Sequence, residues 1–299
     1  PRPVDLHIKA MERLGATVEI EHGYIVAHAP RGLKGGNFAF DVVSVGATGN
    51  LLMAAALAHG ETVIENVALE PDICQLADFI VSMGGMIDGI GTPTLKVRGV
   101  DFLEPKPVRI IPDRIEAATY VAAGAMAGDP LRVTGLEPEH CQAAIEAIRQ
   151  TGAEIEIDGK DVIVSRTAKP RAVEITTNPY PGFPTDMQAQ LMALLTTASG
   201  TSKITETIYR DRFTHVPELV RLGAEIERDD NVVTIKGVEK LSGCPVMATD
   251  IRASAALVLA ALIAEGETKI SRIYHLDRGY EKLDEKFAGV GAEVTRISE

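Results

Sequence analysis

The stretch LLMAAALAHGETVIENV, at residues 51–67, determines the fold class of this chain because its form recurs. Its small and apolar residues predict a buried helix, Gly60 predicts the end of that helix, and the alternating residues after it predict a strand. Stretches of the same form occupy residues 121–136, 191–209 and 257–274. A form that recurs at a nearly constant spacing predicts a fold made of repeated supersecondary units.

A second landmark recurs at a similar spacing. An amphipathic segment ends at a glycine and is followed by alternating residues at Gly15, Gly84, Gly152, Gly223 and Gly291. Each glycine predicts a helix end in the left-handed conformation, and each alternating segment predicts a strand. Together the two landmarks predict a βαβαββ repeat. Because the alanine-rich helices are apolar on most faces, we expect them to gather in the interior with the sheets outside.

The landmarks predict four complete repeats and one half repeat. The complete repeats are expected over residues 37–100, 108–165, 173–238 and 244–298. Residues 7–29 supply only the back half of a repeat, namely a helix and two strands joined by a turn. A lone half repeat leaves a sheet edge and an apolar face uncovered. We therefore expect that the chain lacks an N-terminal segment or that another polypeptide completes this half.

The composition excludes several classes of protein. Hydrophobic residues make up 45% and charged residues 24% of the 299 residues, which excludes disorder as the main state. The net charge of −12 gives no electrostatic reason to bind nucleic acid or an anionic membrane. The longest apolar run, residues 253–264, is too short to cross a bilayer. Cys74, Cys141 and Cys244 form no CxxC pair, so we expect inert thiols, no structural metal and a cytoplasmic location.

Three of the turns that lead into the buried helices carry an oxygen-bearing side chain. Ser44, Asp186 and Asp250 each stand at the expected N-cap position. One interpretation is that these side chains only cap free backbone N–H groups. The other is that the helix starts gather at one face of a domain and attract an anionic ligand. The residues by themselves leave both interpretations open.

Three arginines stand near these helix starts or in corresponding loops. Arg252 follows Asp250 by two residues, while Arg212 and Arg278 lie in the loops IYRDRFTHV and IYHLDRGYEK. Because corresponding loops of successive repeats lie side by side, we expect the three guanidiniums to converge. Such a cluster suits a ligand with phosphate and carboxylate groups. The alternative for each is a solvated arginine or a local ion pair, such as Asp211 with Arg212.

Seven blocks, spread over nearly the whole chain, resemble the UDP-N-acetylglucosamine 1-carboxyvinyltransferases, a family of enolpyruvyl transferases. The blocks are RPVDLH (2–7), SVGAT (44–48), PDRIE (112–116), FPTDMQAQ (183–190), GVEKLSG (237–243), MATDIRASAALVLA (247–260) and RIYHLDRGYEKL (272–283). The resemblance implies an α/β fold of two domains, each an inside-out α/β barrel built from βαβαββ repeats. It implies an incomplete UDP-sugar-side domain over residues 1–106 and a catalytic domain of three repeats over residues 107–299.

The same resemblance implies a reaction. Enolpyruvate is transferred from phosphoenolpyruvate to the 3′-hydroxyl of UDP-N-acetylglucosamine, the first committed step of peptidoglycan synthesis. Both substrates are small molecules, and no cofactor or metal is implied. The transfer needs a base for the hydroxyl proton, an acid for the methylene carbon and fixed cations for the phosphate and carboxylate.

Site residues carry over from the resemblance position by position. Two catalytic residues are implied. Asp186 contacts the sugar hydroxyl and acts as the base, and Arg278 holds phosphoenolpyruvate or its phosphate. The implied substrate-binding residues are Arg2, Pro3, Val4, Asp5, Leu6, Val42, Val43, Ser44, Val45, Ile208, Arg212 and Arg252. Members of the family carry a lysine where Val42 stands, so we expect a weaker contact to a nucleotide phosphate.

The resemblance also implies an absence. The family's loop with its catalytic cysteine ends just before Arg2, and Cys74, Cys141 and Cys244 do not match that loop. We therefore expect this chain to be inactive by itself and to need its missing N-terminal segment. Two alternatives stay open: a shikimate-pathway enolpyruvyl transferase, and a ligand-binding protein without catalysis on the same scaffold. The motifs RPVDLH and DRGYE favour the UDP-sugar enzyme over the shikimate enzyme.

Overall fold

The structure is a computed structural model that describes residues 4–297. It divides into two compact units between Ile111 and Pro112. We call the described residues up to Ile111 unit 1 and those from Pro112 onward unit 2. Each unit has a hydrophobic core of its own.

Unit 1 consists of the predicted half repeat followed by one full repeat. Its elements are α1 (Asp5–Arg13), β1 (Thr17–Glu21), β2 (Tyr24–His28), β3 (Asn37–Ala39), α2 (Val45–Ala55), β4 (Glu61–Glu65), α3 (Pro71–Ser82), β5 (Met86–Asp88) and β6 (Thr94–Arg98). In the half repeat, β1 and β2 pair antiparallel around a turn in which His22 and Gly23 have φ 49° and 85°. The helix and hairpin predicted for residues 7–29 are confirmed.

Unit 2 contains the remaining repeats. Its elements are α4 (Arg114–Ala127), β7 (Leu131–Val133), α5 (Gln142–Gln150), β8 (Glu154–Asp158), β9 (Asp161–Ser165), β10 (Glu174–Thr176), α6 (Gln188–Leu195), β11 (Thr201–Thr205), α7 (Val216–Arg221), β12 (Glu225–Asp229), β13 (Val232–Lys236), β14 (Leu241–Ser242), β15 (Val246–Met247), α8 (Ile251–Ile263), β16 (Ala264–Glu265), β17 (Ile270–Ser271) and α9 (Leu283–Gly289). Short 3-10 helices occur at Pro138–Cys141, Thr185–Met187 and Ile273–Arg278.

The full repeat of unit 1 and the middle repeat of unit 2 build the same four-stranded sheet. The strand orders are β3-β4-β6-β5 and β10-β11-β13-β12. In both sheets the first two strands are parallel and the other neighbours are antiparallel. The predicted βαβαββ repeat is therefore confirmed in these two copies.

The other two copies lack strands that the pattern predicts, so the expectation of four complete repeats is wrong. No strand forms over residues 99–113, where Pro105, Pro107 and Pro112 remove backbone donors that a strand ladder needs. The sheet of that copy has only three strands, in the order β7-β9-β8. In the last copy residues 292–297 form no strand, because an antiparallel ladder needs a partner and the described residues after Gly291 supply none.

The alanine-rich helices α4, α6 and α8 pack against one another in the core of unit 2. All eight residues of α6 are buried. Helix α4 also packs closely on the sheet, since a Cβ added to Gly124 would stand 2.2 Å from Cγ1 of Val164 in β9. Along β11 exposed and buried residues alternate, so this sheet covers the helices with one face and meets solvent with the other. The prediction of helices inside and sheets outside is confirmed here.

The five glycines that end the amphipathic helices all have φ between 93° and 100°. Their predicted left-handed conformation is confirmed. Gly128 ends α4 differently, with φ −72°. Its missing Cβ serves close packing, because an added Cβ would stand 2.6 Å from the carbonyl oxygen of Gly124.

Among residues 4–297 the longest helix is α4, with 14 residues. None of the helices in this part of the chain has both the length and the apolar composition that a membrane crossing requires.

Candidate active site

The candidate site in unit 2 is centred on Asp186. This residue lies in the 3-10 helix directly before α6, and within residues 4–297 its carboxylate accepts no backbone N–H group. Its Oδ1 instead accepts hydrogen bonds from Nη1 of Arg212, at 2.5 Å, and from Nε of Arg252, at 3.1 Å. The interpretation of Asp186 as a helix cap is therefore wrong. The fold brings together an acid and two arginines that are far apart in the sequence.

Ser44 and Asp250, by contrast, do cap their helices. Their oxygens accept backbone N–H groups of the first turn, at 3.3 Å for Ser44 and 2.9 Å for Asp250. Asp113 caps α4 in the same way, with bonds of 2.8 and 3.0 Å. Asp113 was not among the predicted caps, although an Asp followed three residues later by Glu116 is a typical helix start.

Two guanidiniums share a single carboxylate in this cluster. The side chains are mostly buried, with 15% of Arg212, 18% of Arg252 and 35% of Asp186 exposed. The alternative of a local pair between Arg212 and Asp211 is wrong, because Asp211 binds Arg228 at 3.3 Å. The cluster of Asp186 with its two arginines therefore carries a net positive charge.

The arginines fix the charge state of Asp186. Burial by itself raises the pKa of this carboxyl group, but Arg212 and Arg252 outweigh burial and hold the pKa below its ordinary value. Asp186 is thus an anion at neutral pH. In this state it accepts a proton poorly, since both guanidiniums stabilise its charged form.

Arg252 is also held by a buried tyrosine. Its Nη1 donates to the hydroxyl of Tyr280 at 3.3 Å, and Tyr280 is 2% exposed. The same hydroxyl lies 3.0 Å from Oγ1 of Thr119 and 3.2 Å from Nε2 of Gln190, and both of these residues are fully buried. Burial raises the pKa of Tyr280, and its hydrogen-bond partners offset only part of that effect. The hydroxyl therefore keeps its proton at neutral pH.

The donors around this hydroxyl can be assigned. Thr119 has one hydroxyl proton, which it donates to the carbonyl oxygen of Ile115 at 2.8 Å. Thr119 then accepts the proton of Tyr280, and Tyr280 accepts from Arg252 and Gln190. This network was not predicted from the sequence. The signal for it was a threonine and a glutamine in otherwise apolar helices, because buried polar groups need partners.

Both arginines keep N–H donors for a ligand. A guanidinium has five such donors. Within residues 4–297, Arg252 uses two of them and Arg212 uses one. Free donors in a mostly buried, positively charged cluster suit a carboxylate or a phosphate group.

Arg278 stands at the end of a 3-10 helix. Its side chain is exposed and forms no hydrogen bond or ion pair within residues 4–297. Gly279 follows and packs on the start of α8, where an added Cβ would stand 2.7 Å from Cγ2 of Ile251. Arg278 therefore lies next to the helix start that carries Arg252, without a contact to Asp186.

Ile208 lies in the loop between β11 and α7, which also carries Arg212. Its side chain is 45% exposed. Its N–H donates to Oε1 of Glu206 at 2.8 Å. This loop therefore holds Ile208, which is implied for sugar binding, and Arg212, which binds Asp186.

In unit 1, two helix starts carry the other implied binding residues. These residues are Val4, Asp5, Leu6, Val42, Val43, Ser44 and Val45. The first three lie at the start of α1, and the others lead into α2. A hydrogen bond of 2.9 Å between Nδ1 of His7 and Nδ2 of Asn50 joins the two helices. Val42 is 60% exposed, and Arg2 and Pro3 lie outside the described residues.

The cysteines are free thiols. Burial raises the pKa of Cys141 to about 11, and burial together with neighbouring acidic residues raises the pKa of Cys74. These two thiols are poor nucleophiles, as predicted. Cys244 is half-buried, and its Sγ lies 3.4 Å from a backbone carbonyl oxygen. Among residues 4–297, no three His, Cys, Asp or Glu side chains are grouped so that they could hold a metal ion.

Known proteins resemble this chain in sequence over its full length. A family model described as EPSP synthase (3-phosphoshikimate 1-carboxyvinyltransferase) matches residues 1–287. The UDP-N-acetylglucosamine 1-carboxyvinyltransferase of Trichlorobacter lovleyi is 51% identical over 298 residues, a match that covers 100% of this chain and 71% of the relative. The protein of the same name from Xanthobacter autotrophicus is 52% identical, with 99% and 70% covered.

Solved structures resemble the chain in fold. The enolpyruvyl transferase NikO from Streptomyces tendae matches with a TM-score of 0.89 at 29% identity, covering 98% of this chain and 72% of that one. EPSP synthase from Acinetobacter baumannii matches with a TM-score of 0.73 at 17% identity, covering 100% and 72%. The second likeness shows the fold alone. The predicted enolpyruvyl transferase-like fold class is confirmed.

Proposed function

The chain belongs to the family of the UDP-N-acetylglucosamine 1-carboxyvinyltransferases, and we propose that it transfers enolpyruvate from phosphoenolpyruvate to the 3′-hydroxyl of UDP-N-acetylglucosamine. Phosphate is released, and the reaction is the first committed step of peptidoglycan synthesis. The observation that carries the proposal is the cluster in which two guanidiniums share the carboxylate of Asp186 and keep free donors.

The cluster of Arg212, Arg252 and Asp186, which we call the cation cluster, supports binding of phosphoenolpyruvate, a molecule with both a phosphate and a carboxylate. Arg212 and Arg252 offer donors to these groups, and each charge-assisted hydrogen bond contributes about 1.5 to 3 kcal/mol. Arg278 adds a third guanidinium, since it is exposed and has no partner among the described residues. A local cluster of this kind is needed because the net charge of −12 repels an anion from the chain as a whole.

The transfer proceeds by addition and elimination. In the addition, O3′ of the sugar bonds to C2 of phosphoenolpyruvate, Asp186 takes the hydroxyl proton, and an acid protonates C3. In the elimination, the bond from C2 to the phosphate oxygen breaks, and C3 loses a proton to restore the double bond. The arginines hold the phosphate while charge moves onto it. We assign the acid to no residue within 4–297.

The low pKa of Asp186 sets a condition for its role as the base. While both guanidiniums act on Asp186 alone, the carboxylate accepts a proton poorly. A bound anion shares the charge of Arg212 and Arg252, which raises the pKa of Asp186 toward its ordinary value. Binding of phosphoenolpyruvate is thereby coupled to activation of the base.

We assign the UDP-sugar contacts of unit 1 to residues 4–6 and 42–45, with residues 1–106 as the sugar-side domain and 107–299 as the catalytic domain. The start of α2 supports this assignment, because the N-terminal end of a helix attracts a diphosphate. In unit 2 we assign substrate binding to Ile208 as well, in the loop that carries Arg212.

Calorimetric titration of the full chain tests the proposal. UDP-N-acetylglucosamine and phosphoenolpyruvate are expected to bind, and Arg252→Lys is expected to weaken phosphoenolpyruvate binding by about tenfold, since lysine lacks the planar donor pair. Asp186→Asn is expected to keep substrate binding and to lower any turnover by about 10²- to 10⁴-fold. Asp211→Asn is the matched control, because that carboxylate binds Arg228 on an exposed surface.

The outcomes separate the candidate functions. Binding of shikimate 3-phosphate with none of the UDP sugar would assign the chain to the shikimate reaction. An Asp186→Asn variant with unchanged turnover would remove Asp186 as the base. That the 299-residue chain alone is inactive stays a prediction. Little or no release of phosphate from phosphoenolpyruvate is expected, and rapid release would contradict it.

A further inference from the structure

A fully buried carboxylate stands beside the site, and no ion pair joins it to a lysine, arginine or histidine within residues 4–297. Glu206 directly follows β11 and is 0% exposed. Its two oxygens accept four hydrogen bonds. The hydroxyls of Thr177 and Thr185 donate at 2.8 and 2.9 Å, and the N–H groups of Ile208 and Tyr209 donate at 2.8 and 2.9 Å.

These donors belong to the two segments that carry the site. Thr185 begins the 3-10 helix that contains Asp186, so one oxygen of Glu206 is bonded to that turn. The two backbone donors begin the loop that leads to Arg212, so the other oxygen is bonded to that loop. Two hydrogen bonds of 2.8 Å with Asn231 fix the backbone of Glu206. One side chain therefore connects both segments.

The full repeat of unit 1 shows what this position does in another copy. Asn66 follows β4 as Glu206 follows β11, and its amide donates to the carbonyl oxygen of Phe40 at 2.8 Å. Phe40 corresponds to Thr177, because the N–H of each donates to the carbonyl oxygen of the last residue of the parallel strand beside it, β4 or β11. In both repeats, therefore, the residue after the second strand contacts the residue after the first strand. In the repeat with Asp186 this residue is the buried Glu206, which also binds Thr185 in the Asp186 turn.

We infer that Glu206 is a positioning residue that fixes the Asp186 turn against the Arg212 loop, so that carboxylate and guanidinium meet before substrate binds. The effect of Glu206 on catalysis rests on the proposed function, whereas its role in connecting the two segments rests on the hydrogen bonds alone. Groups that are already oriented need not be ordered during the reaction. Because an unbonded buried carboxylate is costly, its four hydrogen bonds form together and hold both segments in one arrangement.

Two pairs of variants separate hydrogen bonding from packing. Thr185→Val removes the hydroxyl that links Glu206 to the Asp186 turn but keeps the side-chain shape, and Thr185→Ser keeps the hydroxyl. Glu206→Leu removes all four hydrogen bonds. Glu206→Gln keeps an acceptor for Thr177 and the backbone donors, and its amide can donate to Thr185. Asn66→Ala is the matched control, since it removes the corresponding contact in unit 1.

The first readout needs no activity. It is the rate at which phenylglyoxal modifies Arg212 in the free protein, followed by peptide mass spectrometry with the exposed Arg98 as internal standard. Arg212 is mostly buried and ion-paired, so slow labelling is expected in the wild type. Thr185→Val and Glu206→Leu are expected to raise the rate about tenfold, equivalent to about 1.4 kcal/mol, while the conservative variants and Asn66→Ala stay within about twofold.

The second readout is the dissociation constant of phosphoenolpyruvate, measured by calorimetry on the full chain. Thr185→Val and Glu206→Leu are expected to raise it about tenfold. A variant that is only partly folded would instead show fewer binding sites per chain, with an unchanged dissociation constant. Thr185→Ser and Glu206→Gln are expected to restore the wild-type value.

The two readouts keep this inference apart from the proposed function. If the wild type binds no phosphoenolpyruvate, the proposed function fails, and the labelling rates still decide the role of Glu206. Unchanged labelling of Arg212 in folded Thr185→Val and Glu206→Leu overturns the inference. Should Glu206→Leu not fold, the comparison of Thr185→Val with Thr185→Ser decides it.

Discussion

Asp186 and Asp250 stand in nearly the same sequence context, an aspartate three residues before an alanine at the start of a buried helix. Asp250 caps α8, whereas Asp186 binds two arginines. The difference arises because a 3-10 turn precedes α6, so Asp186 lies inside the turn and not at the cap. A side chain released from capping is free to take part in binding and proton transfer.

Tyr280→Phe tests whether the buried tyrosine holds Arg252. The change removes one acceptor of Arg252 and one partner each of Thr119 and Gln190, which still bond to each other at 3.1 Å. We expect a loss of about 1 to 2 kcal/mol in the free energy of unfolding, with phosphoenolpyruvate affinity about three- to tenfold weaker. Urea denaturation and calorimetry measure the two effects. Tyr274→Phe is the control, since that tyrosine is 58% exposed, and equal affinities in both variants would contradict the role.

His215 makes the stability of unit 2 depend on pH. It is 1% exposed, and burial lowers its pKa to about 4, with Arg212 adding to the effect and Asp250 opposing it. The unfolded chain binds the proton near pH 6.5. The folded state therefore keeps its full stability above that pH and loses it as the pH falls from about 6.5 to about 4, by about 3 kcal/mol in total.

The comparison of His215→Leu with His28→Gln measures this loss. Between pH 7.5 and 5, urea denaturation of His215→Leu is expected to show about 2 kcal/mol less destabilisation than the wild type. His28 is exposed, so its variant is expected to follow the wild type. An identical pH dependence in all three proteins would show that His215 does not titrate as described.

Helices α4 and α8 are rich in small residues, whereas α6 also buries large apolar ones. All residues of α6 and most residues of α4 and α8 are buried, and the sheets cover these helices. The polar residues among them, such as Thr119 and Gln190, are there to build the network behind Arg252. Packing of these elements thus determines where the starts of α6 and α8 meet.

Gly124→Ala tests the close packing of α4 on strand β9. Alanine favours a helix over glycine, yet the added Cβ would stand 2.2 Å from Val164, so we expect a net loss of about 1 to 3 kcal/mol in unfolding free energy. Gly289→Ala in α9 is the matched control, because its Cβ meets nothing within 4 Å. That variant is expected to be unchanged or more stable by up to about 1 kcal/mol in urea denaturation. A stable Gly124→Ala protein would show that α4 has room to shift.

At the scale of the whole molecule, charge and regular structure are distributed unevenly. The chain carries a net charge of −12, yet Arg212 and Arg252 form a local cation cluster.

Residues 99–113, which include the boundary of the compact units, form neither helix nor strand. Gln75 of α3 binds this segment through the carbonyl of Arg109 at 2.9 Å and the N–H of Ile111 at 3.2 Å.

Limited proteolysis is expected to begin in this segment. Trypsin should cut first after Arg109, and Gln75→Ala should speed that cut several-fold, because it removes both hydrogen bonds that hold the backbone there. Mass spectrometry of the fragments identifies the cleavage site. Gln150→Ala, an exposed change in α5, is the control. First cleavage elsewhere would show that another part of the chain opens more readily.

The amino-acid sequence was sufficient to predict the repeated architecture, because glycine conformation and hydrophobic periodicity act over a few neighbouring residues. It also identified Asp186, Arg212 and Arg252, through the helix starts and through a family resemblance. It overestimated the strands near residues 108 and 292, since a strand forms only where a partner is present. It did not identify Glu206 or Tyr280, which no local pattern distinguishes from other acids and tyrosines.

The partners of the polar side chains follow from tertiary packing. The bond from Arg252 to Asp186 joins residues 66 positions apart, and that between Thr119 and Tyr280 joins residues 161 positions apart. Such contacts depend on how whole helices pack, and burial then makes each unpaired donor or acceptor costly. Packing of distant segments, and not the spacing of residues along the chain, therefore decides whether an aspartate caps a helix or belongs to a binding site.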